Sequence, residues 1–590
     1  MKGKSENKGN LFMDFFFPTT RNEMQDRGIR QPDIILISGE AYLDHPSSGV
    51  AILAHLLRSH GYSVAILDQP DWRSSEDFKR LGPPGLFFGV TSGSLDSMLA
   101  NYTATGKKRR NNPRLTQREY AIPDKAVIVY CNRIKEVYKD IPIVIGGIEA
   151  SMRRFGHYDY WSDSLRRSIL LDTKADILVY GMGERQILEI AGRISKGEQL
   201  DGIKGTVIRL KKSPPSNAIK LPSFKEISSD KNSFAKSYLL QKQEQEPFTG
   251  KPLLEEYEHA VIIQYPPSLP LTTCEIDYIY ELPFTRRAHT KYKIPVRSLE
   301  PVTFSIITHR GCFGDCSFCA LCCHQGKFIQ SRSVNSIIRE VESIKKHPAF
   351  KGYIDDLGGP TANMYGMNCF RYIEGKDFIV FPSIIDGSNL SWNYNKKFMC
   401  NKNCIKCKNL SIDYSLLINL LKSLRSIKDI KKIFIRSGIR FDLAMKDERY
   451  LYELIKYHIS GQLKVAPEHV SPGVLQLMNK SPLETFEKFY KSYIKINREL
   501  SKKQYLIPYF MVAHPGTGKK EAQELKDYIL NKRIAIEQIQ IFTPTPMTGS
   551  TCMYYTGKEP YSLTKIYIPR KNKEKEEQKR ILFSYKKKSL

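Results

Sequence analysis

The chain has 590 residues, enough for about two to four domains with sizeable cores. Its 41% hydrophobic content marks most of it as globular, and the 91 basic against 62 acidic residues give a net charge of +29. That charge suits a polyanionic partner such as RNA, or a lysine-rich solvated surface, and does not by itself choose between them. The opening "MKGKSENKGNLFMDFFFPTT" has too short an apolar run for a secretory leader, and no segment reaches the length of a membrane span. The expectation is a cytoplasmic protein with no membrane partner, in a reducing compartment where thiols serve metals or redox chemistry rather than disulfides.

After an extension over 1–30, short β-branched runs alternate with helix-like stretches over 31–210. "DIILIS" (33–38), "YSVAILDQ" (62–69), "LFFGVTS" (86–92), "IPIVIGG" (141–147) and "ADILVYG" (175–181) read as strands. Between them, "GVAILAHLLRSHG" and a segment starting near Asp124 read as helices. Apolar strands joined by helices predict a doubly wound, Rossmann-like parallel sheet. Residues 211–300 lose this rhythm, are rich in Lys, Ser, Gln and Pro, and read as a connector.

A second series fills 301–557. Strand candidates are "VTFSIIT" (302–308), "GYIDDLGG" (352–359), "KKIFIRSG" (431–438), "QLKVAPEH" (462–469), "QYLIPYFMVAHPG" (504–516) and "EQIQIFTPTP" (537–546). Helix-like segments at 333–347, 413–427, 446–459, 483–499 and 519–533 separate them. The fold class is therefore α/β: the Rossmann-like domain, then a partial (β/α)6 barrel whose chemistry lies in the loops after its strands. The last segment, 558–590, reads as a basic C-terminal tail or helix.

The loop after the first barrel strand is "RGCFGDCSFCALCCH". Cys312, Cys316 and Cys319 form C-x3-C-x2-C within it. Disulfide knot, zinc site and iron–sulfur cluster are the three candidates. A structural zinc site needs four closed ligands, whereas three thiolates on a 4Fe-4S cluster leave one iron open. Gly311 and Gly314 let the loop fold tightly, and Phe318 is placed to shield a cluster or stack on a flat ligand.

This motif and its strand context resemble the radical S-adenosylmethionine (SAM) superfamily. More narrowly, most of the chain resembles the YgiQ-type radical SAM proteins. The stretches that carry the likeness include "VIGGIEASMRRFGHYDYWSDSLRRSILLDTKADILVYGMGE", "YIDDLGGPTANMYGMNC", "KKIFIRSGIRFDLA", "LKVAPEHVSPGVL" and "QIFTPTPMTGSTCMYYTGKEPY". The resemblance implies a 4Fe-4S cluster on Cys312, Cys316 and Cys319 and S-adenosyl-L-methionine on its open iron. It also implies reductive cleavage to a deoxyadenosyl radical, and an electron donor such as flavodoxin or ferredoxin. Gly358, Gly359 and Pro360 are expected at the SAM amino group, Ser437 and Arg440 at ribose and carboxylate, Glu468 and His469 at the same mouth, and "TPTPMTGS" (543–550) at the adenine. Cys322 and Cys323 fall outside the pattern and read as free thiols.

"FMCNKNCIKCKNL" repeats C-x3-C-x2-C with Cys400, Cys404 and Cys407, and Cys369 stands upstream. This group reads as an insertion near 365–410 that could hold a second metal, zinc or an auxiliary cluster. In the N-terminal domain "YLDHPSSG" lacks the D-x-H-x-x-G spacing of cobalamin-dependent enzymes, so cobalamin is not expected and His45 reads as a loop-packing or substrate-wall residue. Segment 151–167 concentrates Arg153, Arg154, His157, Tyr158, Tyr160, Trp161, Arg166 and Arg167. That mixture suits either an RNA substrate or interdomain packing. The alternative to the enzyme is a zinc-stapled nucleic-acid-binding protein without SAM chemistry.

Overall fold

The computed structural model describes residues 16–109, 122–394, 403–534, 536 and 539–583. The N-terminal sheet is built on β1 (Ile34–Ser38), β2 (Val64–Asp68), β3 (Phe87–Thr91), β4 (Ile143–Ile145) and β5 (Ile177–Val179). These five run parallel, with β1 lying between β2 and β3. Alternate residues of each strand enter opposite cores. Ile34, Leu36, Val64 and Ile66 pack under the helices Gly49–Ser59 and Glu184–Ser195. Ile35, Ile37, Ala65 and Leu67 pack under Ala126–Val137.

The sheet does not end at residue 210. Four more strands, β6 (Thr206–Arg209), β7 (Ile219–Lys220), β8 (Leu253–Tyr257) and β9 (Ala260–Gln264), extend it to nine in the order β7-β8-β9-β6-β5-β4-β3-β1-β2. The segment 211–300 is thus not a mere connector. Leu253, Ile262 and Ile263 are fully buried, and the helix Thr273–Glu281 packs Ile276 and Ile279 against Ile52 and Leu56. The short apolar runs of β8 and β9 feed both cores, Leu253 and Ile262 one and Leu254 and Ile263 the other, but the polar stretches around them dilute that signal.

The barrel begins at β10 (Ser305–Ile307). It continues through β11 (Tyr353–Ile354) and β12 (Asp356–Gly358), β13 (Lys432–Ile433), β14 (Gln462–Glu468), β15 (Tyr505–Val512) and β16 (Ile539–Ile541). β10 pairs with β12, β11 with β13, and β14, β15 and β16 in turn, all parallel, and a parallel bridge from Ile439 to Val465 joins the two halves. This is the expected six-unit order. Helices Val334–Lys345, Ser415–Arg425 and Leu483–Glu499 cover the outside. The helix expected over 446–459 tightens differently: Glu448–Glu453 is α-helical and Leu454–His458 is a π turn.

Two terminal assignments change. Of the 1–30 extension, Phe16 and Phe17 are buried against the sheet. The supposed tail contains the helix Asn572–Phe583, which docks on the barrel. Leu582 is buried among Val470, Phe510, Val512, Leu525 and Ile529. The Gln578 side chain accepts from Ala513 N at 2.8 Å and donates to Thr517 O at 2.9 Å. Its net charge hid one apolar and amide-bearing face. Among the described residues no helix is long and apolar enough to cross a membrane.

Candidate active site

The cysteine loop is folded by backbone before any side chain acts. Gly311 sits at φ +87°, and an ideal Cβ there would lie 1.8 Å from the Phe328 carbonyl oxygen, so only glycine fits. Cys312 N donates to Gly326 O at 3.1 Å and Cys319 N to Cys316 O at 3.0 Å. The loop is then tied across the barrel mouth. Ser317 N donates to Met478 O, Asn479 Nδ2 to Asp315 O at 2.8 Å, and Ser550 N to Ser317 O. Loops following β14 and β16 therefore hold a loop that follows β10.

Cys312 is buried and Cys316 and Cys319 are half-buried, close enough for each to feel the others' charge. Burial pushes the Cys312 and Cys319 thiols up. At Cys312 the charge of Arg440 opposes this. Its Nη1 lies 3.6 Å from Cys316 Sγ, and an ideal Cβ on Gly314 would stand 2.7 Å from that same nitrogen and 3.3 Å from Cys312 Sγ. A guanidinium beside two of the three thiols, with a glycine making the room, fits thiolates that carry a metal cluster. Each thiolate of a 4Fe-4S cluster takes a different iron, so the three stand further apart than the ligands of one zinc ion. Among the described residues no three His, Cys, Asp or Glu side chains are grouped to hold a single ion, in this loop or in the second cysteine group.

Arg440 is fixed by residues that the sequence did not single out. Asp442 takes its Nε at 2.9 Å and Nη2 at 2.5 Å, and Ser481 caps Asp442. Asn363 Oδ1 accepts from Arg440 N at 2.8 Å while its Nδ2 donates to Arg440 O at 2.9 Å and Tyr414 Oη at 2.8 Å. Despite burial, which opposes a charge, Asp442 holds the guanidinium protonated. The only signal available was position: Asp442 lies two residues beyond Arg440, and Asn363 three beyond Pro360.

The other expected residues reach the same end of the barrel in varied states. Gly358 O accepts from Thr308 N at 2.8 Å and Thr308 Oγ1 at 3.3 Å, which commits that carbonyl to the strand pair. Gly359 is pressed against His309, whose carbonyl oxygen would be 2.7 Å from an added Cβ, and Pro360 is half-buried. Ser437 gives both N–H (3.0 Å) and hydroxyl to Asp356, so it closes the strand end. Glu468 ends β14 at φ +70°; burial raises its carboxyl, and Lys480 Nζ is 4.0 Å away. His469 accepts from Ser471 N at 3.1 Å, leaves Nε2 without a hydrogen bond, and is pushed down to about 4 by burial. Phe318 stands edge-on to His514 at 6.3 Å, and His514 Nε2 meets Ser550 Oγ at 2.6 Å. In the 543–550 loop, the Thr545 carbonyl accepts from the hydroxyls of Thr548 (2.8 Å) and Thr551 (2.6 Å).

Cys322 and Cys323 fall in the short helix Leu321–Gln325, behind the cluster loop, with Cys323 Sγ 3.8 Å from Met547 O. In the second group, Cys369 pairs across a strand with Leu410, and Leu410 N donates to Cys407 O, so backbone ties the segments that carry Cys369, Cys404 and Cys407, whose thiols are not grouped around a single point. Cys400 lies outside the described residues.

Segment 151–167 turns inward. Arg153 is buried in an ion pair with Asp96, and Arg166 and Arg167 both pair with Asp172. Tyr158 is buried against Tyr554 and Tyr555, and Lys575 Nζ donates to Tyr160 Oη at 2.8 Å. Arg154, Tyr158 and Tyr160 thus pack between the domains, whereas Arg153, Arg166 and Arg167 pair within the N-terminal domain and Arg167 stays exposed. His45 is likewise packed, with Nδ1 2.8 Å from Ser47 Oγ and Nε2 3.0 Å from Arg286 Nη1. Arg286 and Arg332 share Glu340, and Arg310, just ahead of the cysteines, pairs with Glu184 of the N-terminal domain.

The family model described as "Radical SAM N-terminal" matches residues 16–305. With the three-thiol loop opening a six-unit parallel barrel, this defines the chain as a radical SAM enzyme. A second model, a domain of unknown function (DUF3362), matches residues 537–589. A UPF0313 protein of Methanocella arvoryzae is 47% identical over 577 residues, 96% of this chain and 92% of that one. UPF0313 proteins of Clostridium botulinum (44%; 96% and 87% covered) and Geobacter sulfurreducens (42%; 96% and 92%) are similar along the same length. The chain belongs to the UPF0313 family, of which the YgiQ-type proteins are members. Among solved structures, a radical SAM methyltransferase, TsrM, from Kitasatospora setae, with cobalamin and a [4Fe-4S] cluster bound, aligns with TM-score 0.48 at 15% identity. That alignment covers 88% of this chain and 77% of TsrM.

Proposed function

We propose that Cys312, Cys316 and Cys319 hold a 4Fe-4S cluster and that the chain cleaves SAM reductively to remove a hydrogen atom from its substrate. When bound, the cluster supplies one electron, from a donor such as flavodoxin or ferredoxin, to the SAM sulfonium, giving methionine and a deoxyadenosyl radical that takes the hydrogen. The observation that carries this reading is Arg440. It is a guanidinium held by Asp442 and Asn363 and set 3.6 Å from Cys316 Sγ, where it offsets thiolate charge and faces an incoming carboxylate. Gly359 and Pro360 offer backbone to the SAM amino group, and Phe318 with His514 walls the loop from solvent. Buried Glu468 presents a carboxyl at the mouth, and the 543–550 loop offers backbone groups to the adenine. His45 is engaged on both ring nitrogens, so no role as a cobalt ligand is assigned to it. Cys369, Cys400, Cys404 and Cys407 are proposed as a separate metal knot, zinc or an auxiliary cluster. Iron and sulfide analysis of anaerobically purified protein tests the reading. Wild type should carry iron and sulfide that the Cys312/Cys316/Cys319→Ala triple variant loses, while metal retained by the triple variant belongs to the second knot. A wild-type protein holding zinc alone would favour the zinc-stapled alternative.

A further inference from the structure

Between the two domains lies a cavity of about 100 Å³, walled by Tyr180 and Gly183 at the end of β5 and by Cys323 and Phe328 beyond the cluster loop. Arg154 forms part of its lining and is 1% exposed. Its guanidinium carbon sits 4.1 Å over the Tyr180 ring, its Nη2 reaches only Met547 Sδ at 3.3 Å, and its Nε has no hydrogen-bond partner. No carboxylate among the described residues pairs with it. The other charges of the lining are matched: Glu184 by Arg310, Arg185 by Glu275, and Lys327 by Asp315. An arginine cannot shed its proton, and a buried unpaired cation is costly; a ring face and a thioether offset only part of that cost. The same cavity receives the first turn of the helix Glu184–Ser195, twelve residues long and without a side-chain cap at Gly183. Its free N–H groups and positive end favour an anion.

We propose that this cavity binds an oxyanion, a carboxylate or a phosphate, between Arg154 and the first turn of helix Glu184–Ser195. The volume suits such a group rather than a whole large ligand. The wall includes Cys323, in the short helix that follows the cysteine loop, and an anion held here anchors the substrate's charged end. That substrate role rests on the radical SAM reading; the anion binding does not.

The test is calorimetric titration and thermal unfolding of the full chain with inorganic phosphate and, separately, acetate, at ionic strength held constant with chloride. Wild type should bind at least one of them saturably and unfold at a higher temperature in its presence. Arg154→Met should weaken that binding at least about tenfold, whereas Arg154→Lys should keep part of it. In chloride alone Arg154→Met should unfold at the same or a higher temperature than wild type, since it removes an unpaired buried charge. If Arg154→Met does not fold, Arg154→Gln and Arg154→Lys carry the comparison. A response to phosphate alone points to a phosphorylated substrate, and to acetate alone a carboxylic acid. Wild type with no saturable response to either anion, or Arg154 variants with an unchanged response, overturns the inference. Measured beside iron content and deoxyadenosine release, a silent titration in a protein that cleaves SAM overturns this inference alone. Anion binding in a protein that does not cleave SAM overturns the functional reading alone.

Discussion

Gly311→Ala isolates the backbone's part in building the cysteine loop. Gly311 and Gly326 both hold positive φ, +87° and +82°, so an alanine at either costs strain on the order of 1–3 kcal/mol. They differ in what surrounds them. An added Cβ meets nothing within 4 Å at Gly326, but at Gly311 it falls 1.8 Å from the Phe328 carbonyl, a backbone atom that cannot rotate away. Relieving that overlap shifts the 311–328 pairing and with it Cys312, whose N–H is bonded to Gly326 O. Overpacking of this kind adds about 1–3 kcal/mol, and its strain is delivered to a proposed cluster ligand. Gly311→Ala should therefore fold but hold at least about tenfold less iron per chain than wild type after anaerobic reconstitution. Gly326→Ala should reconstitute and lose only thermal stability. Equal iron in Gly311→Ala and wild type would refute the reasoning.

Asp442→Asn should loosen the Arg440 fork and raise the KM for SAM more than it lowers iron content, since the guanidinium would no longer be held beside Cys316; unchanged SAM kinetics would remove Arg440 from the site. Leu582→Ala should destabilise the barrel by about 2–5 kcal/mol in urea unfolding, as expected for a buried leucine rather than a tail residue. His469 and His514 are held neutral by burial, at about 4 and about 3. The unfolded chain, titrating near 6.5, binds more protons below that pH. Stability should thus be full above pH ~6.5 and fall progressively towards pH ~4. His469→Gln and His514→Gln should each flatten that fall, and profiles that stay parallel to wild type would contradict the assignment.

The apolar periodicity that made the five parallel strands and the six barrel units legible comes from burial on both faces, which leaves continuous runs such as "IILIS" and "VAILD". The runs of β8 and β9 are short and lie among polar stretches, and the helix Asn572–Phe583 buries one face only, so these read as connector and tail although Leu253, Ile263 and Leu582 are core. The cysteine loop was legible because three cysteines and their glycines sit within a few residues. Arg440's supports were not, because Asn363 comes from a loop distant in sequence and meets Arg440 only once the barrel closes, and an Asp two residues from an Arg carries no signal of its own. Segment 151–167 had a composition that two environments share. Asp96 and Tyr554, distant in sequence, take Arg153 and Tyr158 inward, while the nearby Asp172 pairs with Arg166 and Arg167 closer to the surface.

The central claim is that the chain cleaves SAM at a cluster on the first thiol loop. Anaerobic protein, reduced with dithionite and given SAM, should release 5′-deoxyadenosine and methionine in equal amounts. Cys316→Ala should release neither, and Cys323→Ser should remain active. Full deoxyadenosine release from Cys316→Ala, or none from iron-loaded wild type, would contradict it.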